Sequence, residues 1–136
     1  MVMLEISSAV LHRIIADANA DPACEQCGLL FGDSVRVADA TPCANVATDP
    51  ARTFEIDPAA LFAALRAERT GGPKLIGYWH SHPSGDVRPS ATDAAMAAAD
   101  GKLWLIVAGE AFAVWRATGE AGATRFEAVR CRATTP

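Results

Sequence analysis

The residues best suited to chemistry are His80 and His82, which follow an apolar run over residues 75–79. Side chains two apart in an extended strand share a face and lie about 6–7 Å apart at the backbone. Two imidazoles and a carboxylate from a nearby turn can hold a tetrahedral metal ion and leave its fourth position to water. This arrangement is typical of a catalytic zinc site rather than of a closed structural one.

Ser90 and Asp93 complete the spacing H-x-H-x7-S-x2-D. Taken alone, Ser-x-x-Asp before an alanine-rich segment resembles a helix capping box, and an acidic residue in the first turn suits the helix dipole. The start of a helix is also a rigid position from which to present a carboxylate to a metal ion. The joint spacing of all four residues therefore favours a metal site that includes Asp93.

Three neighbouring or isolated residues have simpler interpretations. Strand alternation turns Trp79 and Ser81 away from the face that carries His80, so we expect Trp79 in the core and assign no chemistry to Ser81. His12 falls on a predicted helix far from the motif, and we expect it at the surface.

The length of 136 residues predicts one domain over residues 1–136. Because 51% of the residues are hydrophobic, this domain can bury a full core. The net charge of −4, without a basic run, argues against nucleic acid as a partner. No apolar segment approaches the roughly 20 residues of a membrane span, so no membrane partner is expected. The first residues lack a secretory signal, which predicts a cytoplasmic protein.

The four cysteines stand at positions 24, 27, 43 and 131. Disulfides are rare in the cytosol, and no second C-x-x-C completes a zinc knuckle. A redox role for Cys24 and Cys27 stays open, but small buried or partly exposed thiols are the favoured interpretation.

The pattern of elements predicts an α/β fold, a mixed central β-sheet flanked by helices. Helices are expected from Ser7 or Ser8 to about residue 19, from Pro58 to about residue 70, and over residues 90–99. The second of these should bury Leu61, Phe62 and Leu65. Strands are expected over residues 27–31, 35–40, 53–56, 74–79, 103–108, 111–115 and 126–130.

The H-x-H-x7-S-x2-D string resembles the JAMM motif of the MPN+ metalloproteases, a family with a cytidine-deaminase-like α/β sandwich. The family carries a glutamate before a strand of the E-x-C-G-L-L type, which corresponds here to residues 25–32. Residues 45–47 and 52–58 also resemble the stretch that bacterial members of the family carry between the glutamate and the histidines. The resemblance covers roughly residues 4–116 and is to a compact bacterial form, similar to the hydrolases of sulfur-carrier–cysteine adducts.

The resemblance implies a role for each residue of the motif. His80, His82 and Asp93 correspond to the ligands of Zn²⁺, and water is the fourth ligand. Glu25 corresponds to the general base, and Ser90 to the hydrogen-bond donor for the oxyanion. From its sequence context alone, Glu25 would be interpreted as an exposed loop carboxylate.

The resemblance also implies a zinc metallopeptidase or isopeptidase that cleaves at the C-terminal tail of a ubiquitin-like sulfur carrier protein. An extended tail would pair with an exposed strand edge. Two alternatives remain open: a deubiquitinase-like or other zinc peptidase with a different peptide substrate, and a non-catalytic MPN scaffold. Many relatives pair, so a homodimer is compatible with the sequence. The resemblance assigns no role to residues 117–136.

Overall fold

The computed structural model of the protein describes residues 3–120 and 122–135. Within these residues there are three helices and eight strands. In chain order they are β1 (Leu4–Ser7), α1 (Ser8–Ala18), β2 (Cys27–Gly32), β3 (Arg36–Cys43), α2 (Pro58–Arg69), β4 (Leu75–Ser81), α3 (Ala91–Met96), β5 (Leu103–Ala108), β6 (Ala111–Glu120), β7 (Ala123–Val129) and β8 (Cys131–Thr134).

All eight strands form one mixed sheet in the order β7-β6-β5-β4-β2-β3-β1-β8. The pairs β4–β5, β1–β3 and β1–β8 are parallel, and the others are antiparallel. The predicted mixed α/β fold is thus confirmed. Strand β4 lies inside the sheet, with Cys27 of β2 opposite His80 on one side and Ile106 of β5 opposite it on the other.

The main core lies between one face of the sheet and helix α1. The Ser7 hydroxyl accepts a hydrogen bond from the Val10 amide and so caps the helix. The buried side of α1 is formed by Val10, Leu11, Ile14 and Ala18. Trp79 of β4 belongs to this core and is 1% exposed. The opposite face of β4, which carries His80, is therefore free to form the polar site.

Helix α2 begins as predicted, because the Asp57 carboxylate caps it and Pro58 occupies its first position. The predicted buried face of α2 is wrong. Leu61 and Leu65 are only half-buried, and Phe62 is 60% exposed. The apolar spacing determines which side chains share one side of a helix, but the sheet covers that side of α2 only in part.

The remaining differences concern short strands. Residues 53–56 form no strand and make only an isolated bridge between Ile56 and Asn45. Strands β1 and β8 were not predicted, and they pair with each other in parallel. The stability of such short segments comes from partners distant in sequence, so their local patterns are weak. Helix α3 is shorter than predicted and begins after Ser90.

Candidate active site

The two histidines lie at the carboxyl end of β4, on the side of the sheet opposite Trp79. Their rings are buried, and their Nε2 atoms are 3.0 Å apart. The His82 amide donates to the carbonyl of Val107, which holds the chain against β5 beyond the end of β4. The predicted placement of both imidazoles on one face is therefore what the structure shows.

Asp93 reaches the histidines from the first turn of α3. The Ser90 hydroxyl accepts from the Asp93 amide, and Asp93 Oδ2 accepts from the Ser90 amide at 2.9 Å, which is a complete capping box. The same Oδ2 lies 3.2 Å from His80 Nε2 and 3.0 Å from His82 Nε2. Asp93 can therefore cap α3 and take part in a metal site at once, because the same oxygen contacts the Ser90 amide and both histidines.

The charge state of these groups follows from their burial and contacts. Burial opposes ionisation of Asp93, but hydrogen bonds with the two histidines outweigh it and hold the pKa of Asp93 well below its usual range. Burial lowers the pKa of His80. Burial also opposes charge on His82, but hydrogen bonds with Asp93 and with the Asp86 carbonyl raise its pKa. The site therefore contains an ionised carboxylate beside a neutral His80.

These atoms fit a metal ion better than they fit a hydrogen-bond network. Two Nε2 atoms and Oδ2 converge at 3.0–3.2 Å from one another. Ligands about 2.0–2.1 Å from a tetrahedral zinc ion stand about 3.3 Å apart, close to these separations. A neutral imidazole places at most one proton on Nε2, so the three mutual contacts are not all good hydrogen bonds. His80, His82 and Asp93 can therefore hold a divalent cation.

Glu25 is buried beside the histidines rather than exposed in a loop. It is 7% exposed, and one ligand atom each from Glu25, His80 and His82 lie within 4.8 Å of one another. Its Oε1 is buried without a hydrogen-bond partner, which is uncommon unless a water molecule or an ion is nearby. Burial raises the pKa of Glu25 to about 7. A cation between the histidines would favour its ionised form.

Three residues that support the site were not singled out from the sequence. Phe54 stacks on the His80 ring, with ring centroids 4.3 Å apart. The Asp86 carbonyl lies 2.6 Å from His82 Nδ1 and orients the His82 ring so that Nε2 faces the cluster. The Asn45 side chain donates to the Glu25 carbonyl at 2.9 Å. Asn45 and Phe54 fall within the two stretches that resemble the family, but their patterns gave no sign of these contacts.

Ser81 and His12 lie as the sequence predicted. The Ser81 hydroxyl accepts from the Gln26 amide and makes no contact with the cluster. His12 is exposed on α1. Ser90 is exposed at the mouth of the site, and its hydroxyl proton is free to be donated, since the oxygen acts only as an acceptor in the cap.

All four cysteines are free thiols. Cys27 is buried, and its Sγ lies 3.7 Å from the Cys43 carbonyl. Burial raises the pKa of Cys27 to about 12, so this thiol stays protonated at neutral pH and reacts slowly. The structure therefore favours a packing role for Cys27 over a redox pair with Cys24.

Two cavities flank the cluster. The polar cavity, of about 330 Å³, is lined by Glu25, His82, Ser90 and their neighbours. The aromatic cavity, of about 250 Å³, is lined by Phe54, Tyr78, Trp104 and surrounding residues. The polar cavity thus borders the cluster at Glu25 and His82, and the aromatic cavity borders it at Phe54, which stacks on His80.

A family model for prokaryotic homologs of the JAB domain matches residues 7–121 of this chain. The chain belongs to this family. One relative is the desampylase of Haloferax volcanii. Its sequence is 39% identical to this chain over 100 residues, which are 72% of this chain and 72% of the relative. A probable TtuB-protein conjugate cleaving protease of Thermus thermophilus is 40% identical over 52 residues, which are 38% of this chain and 35% of the relative.

Solved structures show the same JAB-type fold. A solution structure from Desulfitobacterium hafniense has a TM-score of 0.75 at 24% identity and covers 98% of this chain and 95% of its own. A structure described as JAMM, a metalloprotease-like zinc site in the proteasome and signalosome, has a TM-score of 0.56 at 18% identity. It covers 96% of this chain and 99% of its own. The resemblance to the JAMM/MPN family is thus confirmed.

The family membership and its relatives identify this prokaryotic JAB protein as an enzyme, a hydrolase of the JAMM metalloprotease type. The alternative of a non-catalytic scaffold is set aside on that ground. None of the helices within residues 3–120 and 122–135 combines the length and the hydropathy that crossing a bilayer requires.

Proposed function

We propose that the protein is a zinc-dependent peptidase that cleaves the peptide or isopeptide bond at the C-terminal tail of a ubiquitin-like sulfur carrier protein. The observation that carries the chemistry is the convergence of His80, His82 and Asp93 at 3.0–3.2 Å beside the buried Glu25. Two imidazoles and one carboxylate are a ligand set of hydrolytic zinc sites. When bound, zinc supplies Lewis acidity and lowers the pKa of water toward about 7.

In this proposal Glu25 is the general base and not a ligand. The distances from Asp93 Oδ2 to the two Nε2 atoms are those expected between ligands of one zinc ion. Glu25 Oε1 lies beside these atoms and has no hydrogen-bond partner. A carboxylate in this position can take a proton from the attacking water and pass it to the leaving amine. Burial keeps Glu25 out of bulk water and raises its pKa to about 7, which suits a base that acts near neutral pH.

Ser90 is proposed to stabilise the oxyanion of the tetrahedral intermediate. Its oxygen accepts from the Asp93 amide, which fixes the hydroxyl at the mouth of the polar cavity with its proton available. The Ser90→Ala variant should therefore lose on the order of 10²–10³ in kcat, measured on a cleavable tail substrate. It should also lose about 1 kcal/mol of stability, because the α3 cap is removed.

Ser7→Ala is the matched control for this variant. Ser7 caps α1 through the same kind of hydroxyl contact, to the Val10 amide, but lies on the other side of the sheet from the cluster. It should show a similar loss of stability and unchanged kcat. Equal kcat values for the two variants would limit Ser90 to its capping role.

The names of the two relatives support a substrate of the ubiquitin-like conjugate class. One is called a desampylase, and the other is named for cleavage of conjugates between TtuB and proteins. The cavities that border the cluster, one at His82 and one at Phe54, offer space for the residues of an extended chain. Sulfur-carrier tails are our first candidates within this class, and other peptide substrates are the second.

We propose one domain over residues 1–136, supported by the pairing of β1 with β8, which joins both ends of the described chain in one sheet. A cytoplasmic location is supported by the four free thiols. A homodimer stays a prediction, to be tested by the mass of the protein in solution.

The test is cleavage of purified sulfur carriers extended beyond Gly-Gly or carrying a C-terminal cysteine, followed by intact mass with and without a chelator. We expect loss of the extension with zinc and no loss with the chelator. Intact carriers beside a zinc-loaded protein that cleaves other peptides would move the substrate to a different class.

A further inference from the structure

The same two segments of the chain, residues 51–56 and 92–98, line both the polar and the aromatic cavity. Residues 51–56 form one wall, with Arg52 in the polar cavity and Phe54 in the aromatic cavity. Residues 92–98 form the other wall, with Thr92 in the polar cavity and Met96 in the aromatic one. The walls touch where Thr53 Oγ1 lies 3.1 Å from Met96 Sδ. A peptide that spans both cavities would cross this junction next to the metal ligands.

The aromatic cavity combines an apolar floor with an acidic rim. Phe54 and Trp104 are 5% and 6% exposed, and their ring centroids lie 5.5 Å apart, with Tyr78 beside Trp104. Glu55 and Asp100 are exposed at its edge. No lysine or arginine lines this cavity, and among the described residues neither carboxylate forms an ion pair.

This combination matches the side chain of lysine or arginine. Such side chains have an apolar stem that can pack on Leu61 and the aromatic rings, and a cationic head that remains near water. The faces of Phe, Tyr and Trp rings attract cations, and the two carboxylates add direct charge complementarity. A purely apolar side chain would fill the floor but would leave the negative charge of both carboxylates uncompensated.

The direction of the substrate follows from the position of the proposed base. Glu25 must give its proton to the leaving amine, and Glu25 lines the polar cavity. The leaving group is therefore assigned to the polar cavity, and the acyl side of the substrate, which is the tail, to the aromatic cavity. This step rests on the proposed function.

The spacing along β4 sets the position within the tail. Tyr78 of the aromatic cavity and His80 of the cluster are two residues apart on one face of β4, a distance of about 7 Å. Two residues of an extended peptide span the same distance. The side chain in the aromatic cavity thus belongs to the residue two before the one whose carbonyl is attacked.

We propose that the aromatic cavity binds a lysine or arginine side chain of the substrate tail, two residues before the scissile carbonyl. In a tail that ends in Gly-Gly, this is the residue immediately before the two glycines. The cavity then selects tails by charge, independently of the metal chemistry.

The test uses synthetic tails of the form Ala-Ala-X-Gly-Gly, joined through the last glycine to the ε-amine of a lysine, with arginine, norleucine or glutamate at X. The zinc-loaded protein should cleave the arginine tail with kcat/KM at least about tenfold above the norleucine tail, and the glutamate tail most slowly. Moving the arginine by one position should abolish this preference.

The carboxylates are tested by the double variant Glu55→Gln/Asp100→Asn. The ratio of kcat/KM between the arginine and norleucine tails should fall to about one. Glu127→Gln removes an exposed carboxylate from β7, outside both cavities, and should keep the full ratio. The Asp100→Lys variant should shift the preference toward the glutamate tail.

Binding of the same tails to the metal-free Glu25→Gln variant, by calorimetry, provides a readout that does not depend on turnover. The arginine tail should bind about tenfold more tightly than the norleucine tail. Equal binding and equal cleavage of the two tails would overturn the cavity assignment and leave the proposed peptidase intact. A retained binding preference without cleavage of any tail would support the cavity and contradict the proposed function.

Discussion

Glu25→Gln should lower kcat by about 10²–10⁴ while the protein keeps its metal ion. The amide has nearly the same shape as the carboxylate but cannot accept a proton from the attacking water, and a positioned base contributes a rate factor of this order. The measurement is turnover of a cleavable tail substrate, with metal content determined on the same sample. We expect one equivalent of metal in the variant, as in the parent protein.

Stability measurements separate this loss from unfolding. Burial raises the pKa of Glu25 to about 7. The metal-free folded protein therefore disfavours the charged carboxylate, and its stability falls as the pH rises toward 7. A neutral glutamine at this position should therefore leave the melting temperature of the metal-free protein unchanged or higher. Near-normal turnover with metal bound would contradict the assignment of Glu25 as the base.

Asp93→Asn should remove both the metal ion and the activity. The neutral amide oxygen is a poor ligand, and the charge that balances a divalent cation is lost. We expect the metal affinity to fall by more than about a hundredfold, beyond the loss that is usual for an outer-shell partner. Competition with a chromogenic chelator measures the affinity, and activity should follow the fraction of protein that retains metal.

Asparagine keeps the capping geometry, because its amide oxygen can still accept from the Ser90 amide as Asp93 does. Asp93→Ala removes this contact as well, so the difference in stability between the two variants isolates the cap, about 1 kcal/mol.

One competing arrangement has Glu25 as the third ligand, since it lies within 4.8 Å of both histidines. Metal loss in Glu25→Gln with retention in Asp93→Asn would establish that arrangement.

Local sequence patterns predict the features of this site that form between residues close together in the chain. The strand before His80 and the cap at Ser90 are local features, and both appear as predicted. The isolated interpretation of Glu25 as an exposed loop carboxylate was wrong, because its burial comes from contacts with distant segments, including Asn45. The resemblance to the family supplied the pairing of Glu25 with the histidines that local reasoning does not contain.

The sequence by itself determined the order of most helices and strands, the cap of each helix, and the H-x-H-x7-S-x2-D spacing. These depend on backbone preferences and on side chains a few residues apart, which local physics controls. Only the tertiary structure decided that Phe54 covers His80, that the Asp86 carbonyl orients His82, and that α2 leaves Phe62 exposed. The charge-bearing aromatic cavity is also a product of the fold, because its walls come from segments around residues 54, 78, 96 and 104. Their contact depends on how the sheet and its flanking segments pack, and no local pattern encodes that packing.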